Sequence, residues 1–255
     1  MEKKSIKKNA TLNIIKTVFS LVFPLITYPY ALRVLQIEKI GKYEFSASVV
    51  SYFTLIAGLG ISAYAVREGA KYRNDRKKIS DFCSEIFSIN LYSTGIAYVL
   101  LVICLIFVEK FKSYIPVILI LSSEIILATL SVNWIYNIFE DFSYITRITL
   151  VLQVFAVILL FVFVHNSSDL YLYAIITVIS SSGAGIFMFW HARKYVNLHF
   201  VFGPSIEHLK PILIVFSITI ATTIYISSDT TILGWIAGDY SVGLYSTSGK
   251  IYKIV

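Results

Sequence analysis

The chain has 255 residues, of which 57% are hydrophobic and 15% are charged, and its mean hydropathy is +0.75. A water-soluble domain carries about 25% charged residues, so this composition excludes an ordinary soluble fold and indicates an integral membrane protein. The net charge of +7 does not indicate nucleic acid as a partner, because the basic residues are concentrated in short segments between apolar runs.

Seven apolar stretches are long enough to cross a membrane, since about 30 Å of hydrocarbon needs about 20 helical residues. Helices are required because lipid offers no hydrogen-bond partners to an open backbone. The stretches are approximately 12–32, 45–66, 85–107, 114–138, 146–164, 170–190 and 211–234. We therefore predict an all-α integral membrane protein of about seven transmembrane helices, with the first as an uncleaved span.

The distribution of Lys and Arg predicts a cytoplasmic N-terminus. With that orientation, the cytoplasmic segments hold fourteen basic residues and the segments on the other side hold five, the excess that cytoplasmic loops of membrane proteins carry. The cytoplasmic set is Lys3, Lys4, Lys7, Lys8, Arg67, Lys71, Arg73, Arg76, Lys77, Lys78, Arg147, Arg193, Lys194 and Lys210, and the other set is Arg33, Lys39, Lys42, Lys110 and Lys112.

The longest connection, residues 191–210, mixes apolar and basic residues like a helix at the membrane interface. We predict a cytoplasmic linker here, between a six-helix transmembrane lobe over 1–190 and the beginning of a second lobe over 211–255. No loop is long enough for a catalytic domain, so we expect no enzyme activity, no catalytic residue and no cofactor. Cys83 and Cys104 lack metal-ligand spacing and are expected to be free thiols, with no metal site.

A faint internal repeat supports this division. Residues 40–48 (IGKYEFSAS) precede the second span and residues 242–250 (VGLYSTSGK) follow the seventh, at an offset of 202 residues. Three identities align, Gly41 with Gly243, Tyr43 with Tyr245 and Ser46 with Ser248. Six spans return a chain to the same side, so the copies would be parallel repeats about an axis along the membrane normal. We expect slightly more than half of a carrier of about twelve or more spans.

Three stretches and their spacing carry a resemblance to a known superfamily. They are IGKYEFSASVVSYFTLIAGLGISAYAVREGAKYRND, WIYNIFEDFSYITRITLVLQVFAVILLFVFV and SSDTTILGWIAGDYSVGLYS, which together follow the order of the whole chain. The chain resembles the polysaccharide-export branch of the multidrug/oligosaccharidyl-lipid/polysaccharide exporters, in particular O-antigen flippases of the Wzx type.

The resemblance implies a carrier in the bacterial inner membrane that moves undecaprenyl-pyrophosphate-linked oligosaccharide by alternating access. Its implied partners are this substrate, membrane lipids, a polysaccharide polymerase and a chain-length regulator. Two alternatives stay open, a membrane-embedded O-antigen polymerase or glycosyltransferase and a multidrug antiporter of the same superfamily. The first of these usually needs a large periplasmic loop, whereas the longest loop on that side has about a dozen residues. A half-length chain that is inactive, or active only as a dimer, is a further possibility.

Polar residues within or beside the spans are the candidates for binding, because charge inside a membrane is costly and tends to face a bundle interior. Candidate contacts for pyrophosphate or sugar are Lys16, Arg33, Arg67, Arg147 and Asn133. Each has a structural alternative: snorkelling to the head groups for Lys16, lipid anchoring or topology for Arg33 and Arg67, a salt bridge with Glu140 or Asp141 for Arg147, and helix packing for Asn133.

Two carboxylates are candidates for ion coupling. Glu124 lies near the middle of the fourth span with no basic residue within one turn, and its alternative role is a structural hydrogen bond to Ser or Tyr on a neighbouring helix. Asp229 follows two serines in the seventh span, where it could instead cap the next turn.

Overall fold

A computed structural model describes the backbone of residues 6–252 and the side chains at 14, 17–19 and 22–250. Over this range the chain forms ten α-helices and four short 3-10 helices and no strand, which confirms the all-α prediction. The α-helices are α1 (Ile6–Gly58), α2 (Ile61–Gly69), α3 (Arg76–Phe107), α4 (Ile115–Ser131), α5 (Asn133–Ile138), α6 (Phe142–Phe163), α7 (Leu170–Ser182), α8 (Ala184–Ala192), α9 (Leu209–Ile236) and α10 (Gly238–Tyr252).

Helix α1 is a hairpin of two spans. Gln36 breaks it with φ 71° and ψ 161°, a backbone conformation that residues other than glycine rarely adopt. Tyr28 and Glu44 lie eight residues to either side, and Lys250 contacts both, through its ammonium 3.9 Å from the Tyr28 ring centroid and through an ion pair with Glu44. In a straight helix these two residues would be about 24 Å apart. The chain therefore reverses at Gln36.

Within the described residues, six helical segments are long and apolar enough to cross a membrane, and the first of them, Thr17–Tyr72, contains the hairpin. Counting its two halves gives seven crossings, as predicted. The span predicted from residue 85 begins earlier, at Arg76, because the Asp75 side chain caps α3 by accepting hydrogen bonds from the amides of Lys77 and Lys78, each at 3.1 Å. Polar helical ends of this kind are invisible to a hydropathy pattern.

The second half of α1 packs on α10 through contacts that are reciprocal at the repeat offset of 202 residues. A Cβ added at Gly41 would lie 1.7 Å from the carbonyl oxygen of Asp239, and one added at Gly243 would lie 2.2 Å from that of Ile37. Asp239 is the repeat counterpart of Ile37, and Gly243 that of Gly41. Such exchange of equivalent contacts is the property of a two-fold axis. The internal repeat itself stays a prediction.

The helix expected in the linker does not form. Between the turn at 193–195 and the 3-10 helix Ile206–His208, residues 196–201 have no helical structure. Backbone amides of Asn197, His199 and Val201 donate to serine side chains of α3 instead of to carbonyls of their own segment. The apolar and basic composition of this stretch reflects docking on α3, and the helical interpretation was wrong.

Helix α9 is the least covered span. Only 6% of its most apolar window is buried, against 22% to 44% for the other five segments. Its buried residues are Ile212 near its start and Gly234 near its end. Helix α9 therefore touches the first six spans mainly through its two ends, and its middle borders a cavity.

Candidate functional site: a cavity between α1, α2, α4 and α9

A cavity of about 500 Å³ separates the middle of α9 from the first six spans. Helix α1 and the start of α2 form one wall, α9 forms the opposite wall, and α4 contributes one residue. The lining residues are Ala47, Ser51, Thr54, Leu55, Gly58, Gly60, Ser62, Ala63, Glu124, Val215, Thr219 and Thr223. Most are small or carry a hydroxyl group, so the cavity can offer hydrogen bonds to a polar guest.

Two contacts between antiparallel helices bound this cavity. On one side the hydroxyl of Ser51 donates to that of Ser227 at 3.0 Å. On the other, the chain between α1 and α2 approaches α9 so closely that a Cβ at Gly60 would lie 2.9 Å from the amide nitrogen of Phe216. Between these contacts, Thr54 of α1 and Thr219 of α9 line the cavity.

Glu124 is the one ionisable residue among the lining residues in the described part of the chain. The side chain is half-buried in α4, and its Oε1 accepts a hydrogen bond from the Ser181 hydroxyl of α7 at 2.6 Å. Glu124 thus combines the features of both predicted roles. It makes a hydrogen bond to a neighbouring helix, and its carboxylate lines the cavity. The carboxylate keeps acceptor sites for sugar hydroxyls, a cation or a proton.

Of the predicted cationic contacts, the three with described side chains, Arg33, Arg67 and Arg147, are not among the residues that line the cavity. The side chain of Lys16 lies outside the described residues. Arg33, Arg67 and Arg147 are exposed. Arg67 follows Ala63 by four residues, so it lies one turn beyond the cavity on the same face of α2. Their contact with a pyrophosphate remains a prediction.

The two remaining candidates have local hydrogen bonds. Asn133 is exposed where α4 meets α5, and its side-chain nitrogen donates to the Ser131 hydroxyl at 2.9 Å. Asp229 of α9 accepts from the Tyr245 hydroxyl of α10 at 2.7 Å, so its partner is a neighbouring helix. Neither residue is among those that line the cavity.

Sequence reasoning missed an ion pair that joins the two repeats. Glu44 of α1 and Lys250 of α10 form this pair, with side chains that are 15% and 35% exposed. Both lie in the two matched segments, 40–48 and 242–250, so opposite charges at the repeat contact were the available signal. A charge pair inside a bundle is costly to separate into lipid, and this one reinforces the glycine contact between α1 and α10.

Glu140 has a partner that the sequence did not indicate. At the end of the bundle that holds most of the basic loops, Arg73 pairs with Glu140 at 2.9 Å. Nearby, the Tyr195 hydroxyl of the linker donates to Asp141, and burial together with that carboxylate raises the pKa of Tyr195. These contacts fasten the loop after α5 to the basic loop after α2 and to the beginning of the linker.

The family described as polysaccharide biosynthesis protein matches residues 6–255. A protein of Escherichia coli (strain K12) named "Putative O-antigen transporter" is 24% identical over 264 residues, covering 98% of this chain and 61% of its own length. A protein of Shigella dysenteriae with the same name is 25% identical over 250 residues, covering 96% and 62%.

No solved structure matches the chain. The chain spans about three-fifths of the length of these two relatives. The family match extends over nearly all of its residues. The chain belongs to the polysaccharide biosynthesis protein family.

Proposed function

We propose that the protein carries a lipid-linked oligosaccharide across the bacterial inner membrane by alternating access, and that the cavity receives its sugar head group. The observation that carries this proposal is a hydroxyl-lined cavity within membrane-spanning helices, at the boundary between the first six spans and α9. Sugar hydroxyls cannot enter hydrocarbon without hydrogen-bond partners. Serine, threonine and glutamate side chains supply such partners, while the lipid tail can remain outside.

The names of the relatives support transport as the activity. Both are described as O-antigen transporters, and neither name indicates an enzyme. We propose that the substrate is linked to undecaprenyl pyrophosphate and that a polymerase and a chain-length regulator act on the product. The charge bias of the loops supports a cytoplasmic N-terminus in the inner membrane, so that substrate enters from the end of the bundle that holds Arg67 and Lys78.

Pyrophosphate binding needs cations that the cavity lining does not provide. At an effective dielectric constant of about 20, one contact between a cation and the pyrophosphate is worth about 4 kcal/mol before water is taken into account. Arg67, one turn beyond the cavity, is the nearest of our candidates along the chain to a lining residue. We propose that the pyrophosphate binds near Arg67 and that the sugars extend towards Ser51.

A multidrug antiporter is the second candidate, and one observation favours it. Among the lining residues that the structure describes, the one ionisable group is the carboxylate of Glu124, which would attract a cationic compound and repel a pyrophosphate. A transport assay separates the two. If the protein is an antiporter, its expression raises resistance to cationic dyes and Glu124→Gln abolishes that resistance; if it is a flippase, expression leaves dye resistance unchanged.

The experiment that tests the proposed function is complementation. The full-length gene product that carries these residues should restore surface O-antigen in a strain that lacks its own flippase, when the two use related repeat units. Surface O-antigen is read as a gel ladder and normalised to the amount of protein in the membrane. Failure to restore the ladder, with normal membrane abundance and a matching repeat unit, would falsify the flippase assignment.

A further inference from the structure

Helix α3 carries serines at every fourth position, Ser80, Ser84 and Ser88, which therefore lie on one face. All three are buried. Each hydroxyl donates to the carbonyl four residues earlier in α3, at 2.7 Å, 2.8 Å and 2.7 Å respectively. A hydroxyl oxygen can still accept hydrogen bonds after its proton has been donated, so this face presents three acceptors in a row.

The linker uses all three acceptors. The amides of Asn197, His199 and Val201 donate to Ser80, Ser84 and Ser88, at 3.1 Å, 3.2 Å and 2.8 Å respectively. The spacing fits, because four residues of a helix rise about 6 Å and two residues of an extended chain rise about 6.6 Å. Alternate amides of the linker thus meet successive turns of α3, an arrangement that we call the serine ladder.

The same linker then fastens the start of α9. Glu85, which lies between Ser84 and Ser88 in sequence, accepts from the Ser205 amide at 3.4 Å and lies 3.3 Å from Nε2 of His208. Nδ1 of His208 is 2.7 Å from the Tyr64 hydroxyl of α2. Four residues further on, Ile212 of α9 is fully buried in the core of the first six spans. The contacts therefore run without a long gap from residue 197 to the first turn of α9.

We propose that residues 197–208 form a fixed strap, which stays docked on α3 in every state of the carrier and positions the start of α9. The segment is therefore not a flexible linker between two moving parts. The reference to states of a carrier rests on the proposed function. If the strap lifts, each linker amide that is directed to α3 loses its serine acceptor, while the serine keeps only the hydrogen bond that it donates within α3. The start of the cavity wall near Val215 is thereby held at a set distance from α2.

Single-residue hydrogen exchange tests the docking itself. The amides of Asn197, His199 and Val201 should exchange slowly. The amides of Leu198 and Phe200, which donate to no serine hydroxyl in the described part of the chain, should exchange quickly. Replacing the three serines of the ladder together by Ala should speed exchange of the slow amides about tenfold, and replacing them by Thr should preserve most of the protection. Ser217→Ala, which removes a comparable serine from α9, is the control. Equal exchange at all five amides would overturn the ladder.

A disulfide lock tests the permanence of the strap. Ser51→Cys with Ser227→Cys, in a protein whose Cys83 and Cys104 are replaced by Ala, joins α1 to α9 where the two hydroxyls lie 3.0 Å apart. We expect the three protected amides to exchange at the same rate with and without the lock. Exchange about tenfold faster in the unlocked protein would show that the strap lifts during motion, and would overturn the proposal.

A further substitution, Thr223→Cys, places a thiol in the cavity. The rate at which a thiol reagent labels it reports whether the lock restricts motion, and we expect slower labelling when the disulfide is closed. Unchanged labelling would count against the transport cycle rather than against the docked strap. The exchange measurement needs no substrate, so failure of the strap and failure of the proposed flippase activity are read separately.

Discussion

Helix α1 meets the incoming helices α9 and α10 in two neighbouring regions that differ in chemistry. Around Gly41 the backbones of α1 and α10 approach so closely that no Cβ fits, and the contact is reciprocal with Gly243. From Ser51 to Gly60 the chain faces α9 across about 500 Å³ of space lined by hydroxyls and by Glu124. Small residues occur in both regions, so residue size alone does not decide whether membrane helices pack or leave a cavity.

The difference lies in what faces each small residue. Gly41 faces the backbone of α10, at the carbonyl group of Asp239 and the amide nitrogen of Gly243. Gly58, one of the lining residues, has no atom within 4 Å of a Cβ placed on it. Reciprocal glycines close one region, in the way that small residues bring membrane helices together. In the other region the hydroxyls of Thr54 and Thr219 donate to carbonyls of their own helices.

The largest expected effect is on the closed region. Gly41→Ala places a Cβ 1.7 Å from the Asp239 carbonyl oxygen, so α1 and α10 must separate. Overpacking of this kind costs about 1–3 kcal/mol. We expect a lower midpoint of thermal unfolding in detergent and less protein in the membrane.

Gly243→Ala should give a similar loss, because its contact with Ile37 is the reciprocal one. Gly95→Ala is the matched control, since nothing lies within 4 Å of its added Cβ and alanine favours a helix more than glycine does. Equal melting of the Gly41 and Gly95 variants would show that the close contact does not exist in solution.

The next effect concerns the open region. Glu124→Gln keeps the shape and can still accept the hydrogen bond from Ser181, but it removes the charge. If the carboxylate binds sugar or a coupling ion, export should fall about tenfold, the scale of one charge-assisted hydrogen bond. Surface O-antigen per amount of membrane protein is the measurement. Glu109→Gln, at a side chain that is 90% exposed, should change nothing, and a Glu124 variant that behaves like it would assign Glu124 to packing.

A smaller effect is expected beyond the edge of the cavity. Arg67→Ala should lower export several-fold if this cation holds the pyrophosphate, and Arg67→Lys should preserve most of it because the charge remains. Lys16→Ala, which removes the charge, and Lys16→Arg, which keeps it, test the predicted contact at Lys16 in the same way. Lys77→Ala and Lys78→Ala are surface controls. If the Arg67 and Lys16 variants match these controls in the O-antigen assay, both cations are anchors.

The smallest effect is expected at the start of α3, which touches neither region. The amides of Lys78 and Lys77 lower the pKa of Asp75. A carboxyl group whose folded pKa lies below its unfolded value stabilises above the unfolded pKa, and this contribution is lost as pH falls through the folded pKa. The protection of the Lys77 and Lys78 amides, measured as their exchange rate relative to the unfolded chain at the same pH, should therefore fall in acid. Asp75→Asn, which caps without titrating, should remove that dependence. The same acid response in the Asn variant would refute the cap.

Hydropathy alone predicted the number of crossings, because lipid imposes a length on each apolar run. It placed a loop over 33–44, where the structure has one break at Gln36 and helix on both sides. The polar residues of that stretch are helical and pack against α10, which lies about 200 residues away in sequence. Hydropathy therefore could not predict where helices end outside the hydrocarbon, and the structure was needed to place those ends.

The candidate site was predictable only where a residue conflicts with its surroundings. Glu124 is a lone carboxylate in an apolar run, and that conflict identified it from the sequence. Thr219 and Ser51 carry no such signal, since hydroxyls in membrane helices commonly hydrogen-bond within their own helix, as Thr219 does with the carbonyl of Val215. Their role depends on two helices that meet only in the folded chain. The four-residue serine spacing of the ladder was visible in the sequence, but its partner was an irregular segment that no periodicity could identify.

The most direct test of the cavity as the path for lipid-linked oligosaccharide is transfer between leaflets in proteoliposomes. Fluorescently labelled lipid-linked oligosaccharide, the full-length gene product, and two variants of α9 are needed. Thr219→Trp fills the cavity from a lining position, whereas Ser217→Trp adds the same bulk at an exposed position on that helix. The account predicts transfer by the unmodified protein and by the Ser217 variant, and none above empty liposomes by the Thr219 variant. Equal transfer by the two variants, or no transfer by the unmodified protein, would contradict it.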